Sequence, residues 1–121
     1  MKIQAPWWSW VGGVPEVSPE TLKSWLDSGR QLQLIDARTR SEYCSGTISD
    51  AWYAPVSSLP ASLDELAVSP DIPVVALCLT GYRSRPVVRL LRRKHIEAYS
   101  LRGGITCWRM CGFPLQNPDS C

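Results

Sequence analysis

The chain has 121 residues, 45% hydrophobic and 20% charged, which suits one globular domain with a real core and excludes a disordered chain. A formal net charge of +2 does not mark a nucleic-acid binder, and no stretch approaches the length of a membrane span. Cys44, Cys78, Cys107, Cys111 and Cys121 fall at irregular spacing with no CxxC pair, and His95 is the one histidine, so neither a zinc site nor any other metal or cofactor is expected.

Residues 1–13 read as a Trp-rich arm, with Trp7, Trp8 and Trp10 between Pro6 and the Gly12-Gly13 pair. Its indoles are expected to fold back over apolar surface, the alternative being contact with a membrane interface. Residues 14–115 form the domain and 116–121 a polar tail. Within the domain, residues 14–17 read as a short edge strand broken by Pro15. Ser18 caps a helix that has Pro19 in its first turn, Leu22, Trp25 and Leu26 on its apolar face, and Gly29 at its end. Residues 32–36 are a strand with Asp36 at its carboxyl end, residues 39–44 a short helix stopped at Gly46, and residues 51–54 another short strand. A helix is predicted over 59–68, with Leu63, Leu66 and Ala67 on one side.

The near-continuous apolar run 72–77 is the pattern of a strand buried on both faces of a parallel sheet. A helix over 84–95 follows with Val87, Val88, Leu90 and Leu91 inward, then a strand over 98–101. Gly103-Gly104 turns the chain into a last short helix carrying Ile105, Trp108 and Met110, ended by Gly112-Phe113-Pro114. The alternation gives an α/β fold of three layers, a mainly parallel central sheet with helices on both faces. Ligands of such sheets gather at the carboxyl ends of the strands, where Asp36 and Cys78 both fall.

The stretch Cys78-Leu79-Thr80-Gly81-Tyr82-Arg83-Ser84 carries the chemistry. A thiol at the mouth of a short loop meets converging backbone N–H groups and the positive end of the next helix. Both favour thiolate over thiol, the condition for a nucleophilic cysteine; the plainer reading is a buried structural cysteine. Arg83, Arg85, Arg89, Arg92, Arg93 and Lys94 concentrate positive charge here, and Arg83, inside the loop, is the one assigned to an anion. With free thiols and no apolar leader after Met1-Lys2, a reducing, cytoplasmic setting is expected.

Together these elements resemble the rhodanese homology domain, the single-domain sulfurtransferase fold. Four blocks carry the resemblance, in family order: Leu34-Ile35-Asp36-Ala37-Arg38, Ser41-Glu42-Tyr43 with Gly46, the Cys78 loop, and Leu101-Arg102-Gly103-Gly104-Ile105 with Trp108 and Gly112-Phe113-Pro114. The chain departs from the family at Gly46-Thr47-Ile48-Ser49-Asp50-Ala51, where a Gly-His-Ile-Pro-Gly-Ala pattern is usual; losing that histidine bears on loop stability rather than on chemistry.

The resemblance implies that Cys78 is a nucleophile that carries a persulfide between a small anionic donor, such as thiosulfate, and an acceptor thiol, cyanide or protein. Amides of Leu79, Thr80, Gly81, Tyr82 and Ser84 would cradle the sulfur. Gly81 would supply a positive φ or a close backbone approach, and Tyr82 would shape the entrance. Arg83 either holds the anionic donor or fixes the loop through backbone carbonyls. Asp36 and Glu42 are structural, and Arg38 either pairs with Glu42 or turns inward to add charge to the site. Cys107 and Cys111, four apart on a helix, are expected to pack as small core residues, with a sulfur relay as the alternative; Cys121 is incidental and His95 complements a helix end. Four residues separate Cys78 from Arg83, a tighter cradle than that of tyrosine phosphatases, which makes a phosphatase-like or arsenate-reducing enzyme the second reading. A non-catalytic binding module is the third.

Overall fold

The computed structural model describes residues 13–119 and 121, so the expectation for the Trp-rich arm lies outside the described residues apart from Gly13. Five strands form one sheet: β1 (Glu16–Val17), β2 (Gln33–Asp36), β3 (Trp52–Tyr53), β4 (Val74–Leu77) and β5 (Ala98–Leu101). Their order across the sheet is β1-β5-β4-β2-β3 and every ladder is parallel, with Asp36 in register with Leu77 and Ala76 with Ser100. β2 and β4 are buried along their whole length; β4 is apolar throughout, whereas β2 buries Gln33 and Asp36 at its two ends.

Alternation along the strands builds two cores. Leu34, Val75, Leu77 and Leu101 face one layer, formed by α1 (Pro19–Asp27) and α5 (Gly104–Met110), through Leu22, Ile105 and Trp108. Ile35, Val74, Ala76 and Ala98 face the other, where α3 (Ala61–Asp64) and α4 (Arg85–Arg93) supply Leu63, Val87, Val88 and Leu91. The short α2 (Arg40–Ser45) follows β2. This is the three-layer α/β architecture expected, and among the described residues no helix is long and apolar enough to cross a membrane.

The local signals explain the element ends. Ser18 caps α1 by accepting the Thr21 N–H at 3.1 Å. Thr39 and Glu42 make a reciprocal capping box at the start of α2. His95 takes a left-handed φ of +62° just beyond α4, turning the chain toward β5.

One predicted element is broken up. The helix expected over 59–68 shrinks to the single helical turn of α3, preceded by a 3-10 turn at Val56–Ser58, because Pro60 interrupts the pattern and Ala67 adopts φ +51°. Three apolar positions still reach the core, Leu63 buried and Leu59 and Leu66 half-buried against it, whereas Ala67, expected on the same side, is exposed.

The expectation of five free thiols is corrected. Cys44, at the end of α2, and Cys121 form a disulfide, because the tail returns to α2: Thr47 and Gln116 exchange backbone hydrogen bonds and Asn117 donates to the Cys44 carbonyl. Cys121 is therefore a fastening rather than an incidental end. Cys111 is exposed and Cys107 half-buried, so Cys111 does not pack in the core as expected.

Candidate active site

Cys78 stands one residue beyond β4, at the carboxyl edge of the sheet, and is 1% exposed. Two hydrogen bonds reach its Sγ: the Gly81 N–H donates at 2.8 Å and the Ser84 hydroxyl at 3.5 Å. The first is a loop closing on its own cysteine, and Gly81 holds φ +104° to do it, a conformation that side-chain-bearing residues rarely adopt. Ser84 is wholly buried just before α4 and shares a 2.6 Å hydrogen bond with the hydroxyl of Ser100, on β5 and equally buried.

The loop faces this way because α5 holds its other side. The Ile105 N–H donates to the Cys78 carbonyl at 2.8 Å and the Thr106 N–H to that of Leu79 at 3.0 Å. These amides of the first helical turn need acceptors, and the loop carbonyls supply them. With the Cys78 and Leu79 carbonyls turned toward α5, the loop amide that bonds the sulfur is that of Gly81; of the amides expected to cradle it, those of Leu79, Thr80, Tyr82 and Ser84 make no such bond among the described residues. Gly104 makes the approach possible, since a Cβ there would lie well inside contact distance of the Cys78 and Leu79 carbonyls. Gly103 lies beneath Gly81, whose own Cβ would meet the Gly103 nitrogen at 3.4 Å. The Gly103-Gly104 pair is thus the seat of the loop.

Arg83 neither bonds the loop carbonyls nor stands alone. Its guanidinium makes a two-pronged pair with Glu42, 2.6 Å to Oε1 and 2.8 Å to Oε2. That hydrogen-bonded pairing holds the Glu42 carboxyl down at about 2, assisted by the Thr39 N–H and hydroxyl, and holds Arg83 above its ordinary value. Cys78 and Asp36 add smaller contributions to the rise at Arg83. α2 is in this way tied to the cysteine loop.

Arg38 departs from the expected pairing with Glu42 and turns inward, where Asp36 takes its charge. It does not pair with Glu42; its Nε and Nη2 bond the Asp36 carboxylate at 3.0 and 2.8 Å, and Nη2 also donates to the Gly46 carbonyl at 2.6 Å. The physical reason is position: Arg38 sits at a bend between β2 and the cap of α2, where its own N–H also donates to Asp36 Oδ1 at 3.0 Å, so it is turned back onto Asp36 rather than toward a helical residue four ahead. Asp36 is 0% and Arg38 3% exposed. Such a pair resists loss of either partner, because the survivor is a buried uncompensated charge. Thr47, standing where the family usually has histidine, donates its hydroxyl to Asp36 at 2.8 Å and completes the cluster.

The remaining loop side chains point out: Leu79 is 40% and Tyr82 65% exposed, with the Arg85 guanidinium stacked 4.5 Å from the Tyr82 ring. Ser100 and Thr47 were not singled out as site residues by spacing. For Ser100 the signal was a hydroxyl in an otherwise apolar buried strand, which demands a partner. For Glu42 it was the Thr39-x-x-Glu42 box. No cluster of metal-ligating side chains occurs among the described residues.

A buried cysteine that receives two hydrogen bonds at the carboxyl edge of a five-stranded parallel sheet defines the candidate active site of an α/β protein. The chain belongs to the rhodanese-like domain family, whose model matches residues 18–111. Over 93 residues it is 33% identical to the probable adenylyltransferase/sulfurtransferase MoeZ of Mycobacterium tuberculosis, covering 76% of this chain and 24% of that protein. It is 34% identical over 104 residues to the tRNA uridine(34) hydroxylase of Xylella fastidiosa, covering 78% of this chain and 40% of that one. The chain therefore spans well under half the length of these relatives. A sulfurtransferase candidate of Bacillus subtilis, YtwF, is 27% identical over 78% of this chain and 90% of its own length. Among solved structures, a rhodanese-like domain protein of Staphylococcus aureus superimposes with a TM-score of 0.75 at 26% identity, over 88% of this chain and 100% of that one.

Proposed function

We propose that this chain is a cytoplasmic sulfurtransferase that moves a sulfane sulfur from thiosulfate or a persulfide donor to a thiol or cyanide through a Cys78 persulfide. The observation that carries this reading is the 2.8 Å hydrogen bond from the Gly81 amide to the Cys78 sulfur, in a loop whose carbonyls are turned toward α5. Sulfurtransferase names among the relatives support the same class.

The Cys78 thiolate attacks the outer sulfur of thiosulfate. A new S–S bond forms at Cys78 as the donor's S–S bond breaks, and sulfite leaves with the bonding pair. The product is a persulfide anion on Cys78. In the second step cyanide attacks the terminal sulfur, releasing thiocyanate and restoring the thiolate; a thiolate acceptor leaves instead as its own persulfide. Charge is conserved in each step, so the cradle faces an anionic sulfur throughout, and fixed donors are suited to that task. In this reading Arg83, neutralised and clamped by Glu42, ties α2 to the cysteine loop, and the Asp36–Arg38 pair braces the strand end. In a cytoplasmic setting the Cys44–Cys121 bridge is the oxidised form of two residues that the thiol pool would otherwise keep reduced.

The test is intact-protein mass spectrometry after thiosulfate treatment, with peptide mapping. A gain of one sulfur on Cys78, reversed by cyanide with release of thiocyanate, is the expected result. Thiocyanate formation surviving Cys78→Ser overturns the assigned nucleophile. Hydrolysis of an aryl phosphate without any persulfide places the chain among phosphatase-like enzymes instead.

A further inference from the structure

We infer that Ser100 is a positioning residue for Cys78, acting through Ser84: the two buried hydroxyls form a directional relay that delivers a proton-donating hydrogen bond to the anionic sulfur. This rests on the reading of Cys78 as nucleophile and extends it to a residue on a different strand. Ser84 and Ser100 are both 0% exposed, their hydroxyl oxygens lie 2.6 Å apart, and the Ser84 oxygen lies 3.5 Å from Sγ.

Counting protons fixes the direction. A hydroxyl carries one proton to donate and lone pairs that accept. A thiolate or persulfide anion has no proton, so the Ser84 proton must point at the sulfur. The Ser84–Ser100 bond can then be made only by the Ser100 proton. With sulfur anionic, the order is Ser100 to Ser84 to Cys78. Accepting a bond from Ser100 also strengthens the bond Ser84 donates, because hydrogen bonds in series polarise one another where the local dielectric is low. When Cys78 is a neutral thiol that demand is absent and the Ser84 hydroxyl is free to turn toward Ser100.

The placement follows from the fold. Ser100 pairs in register with Ala76, two residues before Cys78, and so faces the α4 side of the sheet, where Ser84 precedes the first turn of α4. The charged groups around the sulfur come from other elements. Arg83 belongs to the loop itself, Glu42 of α2 neutralises it, and the Asp36–Arg38 pair closes the end of β2. From the start of α4 the Ser84 hydroxyl reaches Cys78, and from β5 the Ser100 hydroxyl reaches Ser84.

The experiment is a double-mutant cycle on the full chain with Ser84→Ala and Ser100→Ala, read at Cys78 by mass mapping of the iodoacetamide-labelled peptide over time at fixed pH, so that Cys107 and Cys111 do not interfere. Sulfur uptake from thiosulfate is followed in parallel. Ser84→Ala should slow Cys78 labelling about 10-fold and Ser100→Ala about 3-fold, the scale of one charge-assisted hydrogen bond and of its polarisation. The double variant should be no slower than Ser84→Ala alone. A double variant slowed by the product of the two single effects, or a Ser100→Ala chain labelled at the wild-type rate, overturns the relay. Because labelling needs no sulfur donor, failure of the wild-type chain to take up sulfur would refute the transfer reaction while leaving the cycle to decide the relay.

Discussion

Glu42 does two things that pull its carboxylate in one direction. One oxygen caps α2 through Thr39 and both grip Arg83, so ionised Glu42 is favoured on every side except for its partial burial. Its folded value lies at about 2 against an ordinary value near 4.5. A carboxyl depressed in the folded state contributes stability that is present above the ordinary value and is lost as pH falls through the folded one. The window is therefore pH 4.5 down to about 2. Glu42 and Arg83 side chains are 28% and 34% exposed, so solvent screening trims the pair to about 1 kcal/mol. Urea midpoints measured along this window should fall more steeply for the wild-type chain than for Glu42→Gln. Parallel curves would show that the pair contributes nothing to folding. This pair was hidden in the sequence because its members lie 41 residues apart. Half of it was visible, since Thr39-x-x-Glu42 is a capping box. Arg38–Glu42 was the tempting alternative, and it fails because the helical spacing begins only after Thr39.

The active loop is held less by its own sequence than by the helix that docks beneath it. α5 presents its first amides to the carbonyls of Cys78 and Leu79, and Gly104 is the point of closest approach. Gly104 and Gly112 both have positive φ, +61° and +77°, yet nothing lies within 4 Å of a Cβ built at Gly112. That contrast separates backbone strain from collision. Gly112→Ala should cost about 1–2 kcal/mol of stability, the left-handed penalty, with sulfur uptake retained. Gly104→Ala should cost about 3 kcal/mol or more and should depress uptake at least 10-fold, because the loop carbonyls must move and their rotation carries the Gly81 amide off the sulfur. Equal losses of activity in the two variants would refute the docking role. At this scale most of the fold was legible. Apolar runs marked β2 and β4, and Ser18 and Gly29 bracketed α1. That the helix expected over 59–68 shortens to one turn was not legible, since its apolar spacing is helical throughout and Pro60 alone signals the break.

Across the molecule, the sheet puts chemistry at one end and leaves a long return path for the tail. After α5, Trp108 donates its indole N–H to the Pro114 carbonyl at 2.9 Å, which starts the tail back across the domain. Thr47 and Gln116 pair, Asn117 reaches the Cys44 carbonyl, and the Cys44–Cys121 bridge closes the path. None of this was written in the cysteine spacing, because connectivity depends on where the tail lands and an odd count of five gave no pairing. A bridge spanning 77 residues removes much of the freedom of the unfolded chain, and the chain-entropy relation puts that at about 4.5 kcal/mol as an upper value. The fastening is made on the far end of α2 from the Thr39 cap, whereas the cysteine loop is seated on α5 and tied to α2 at Glu42. Stability and sulfur chemistry should thus separate. Cys121→Ser should lower the unfolding free energy by about 2–4 kcal/mol in urea titrations, while Cys78 takes up sulfur from thiosulfate within about twofold of the wild-type rate. The variant is a cleaner probe than a dithiol, which would strip the persulfide as it opened the bridge. A parallel collapse of uptake at temperatures where the variant is still folded would show that the bridge, acting along α2 through Glu42, also sets the position of Arg83.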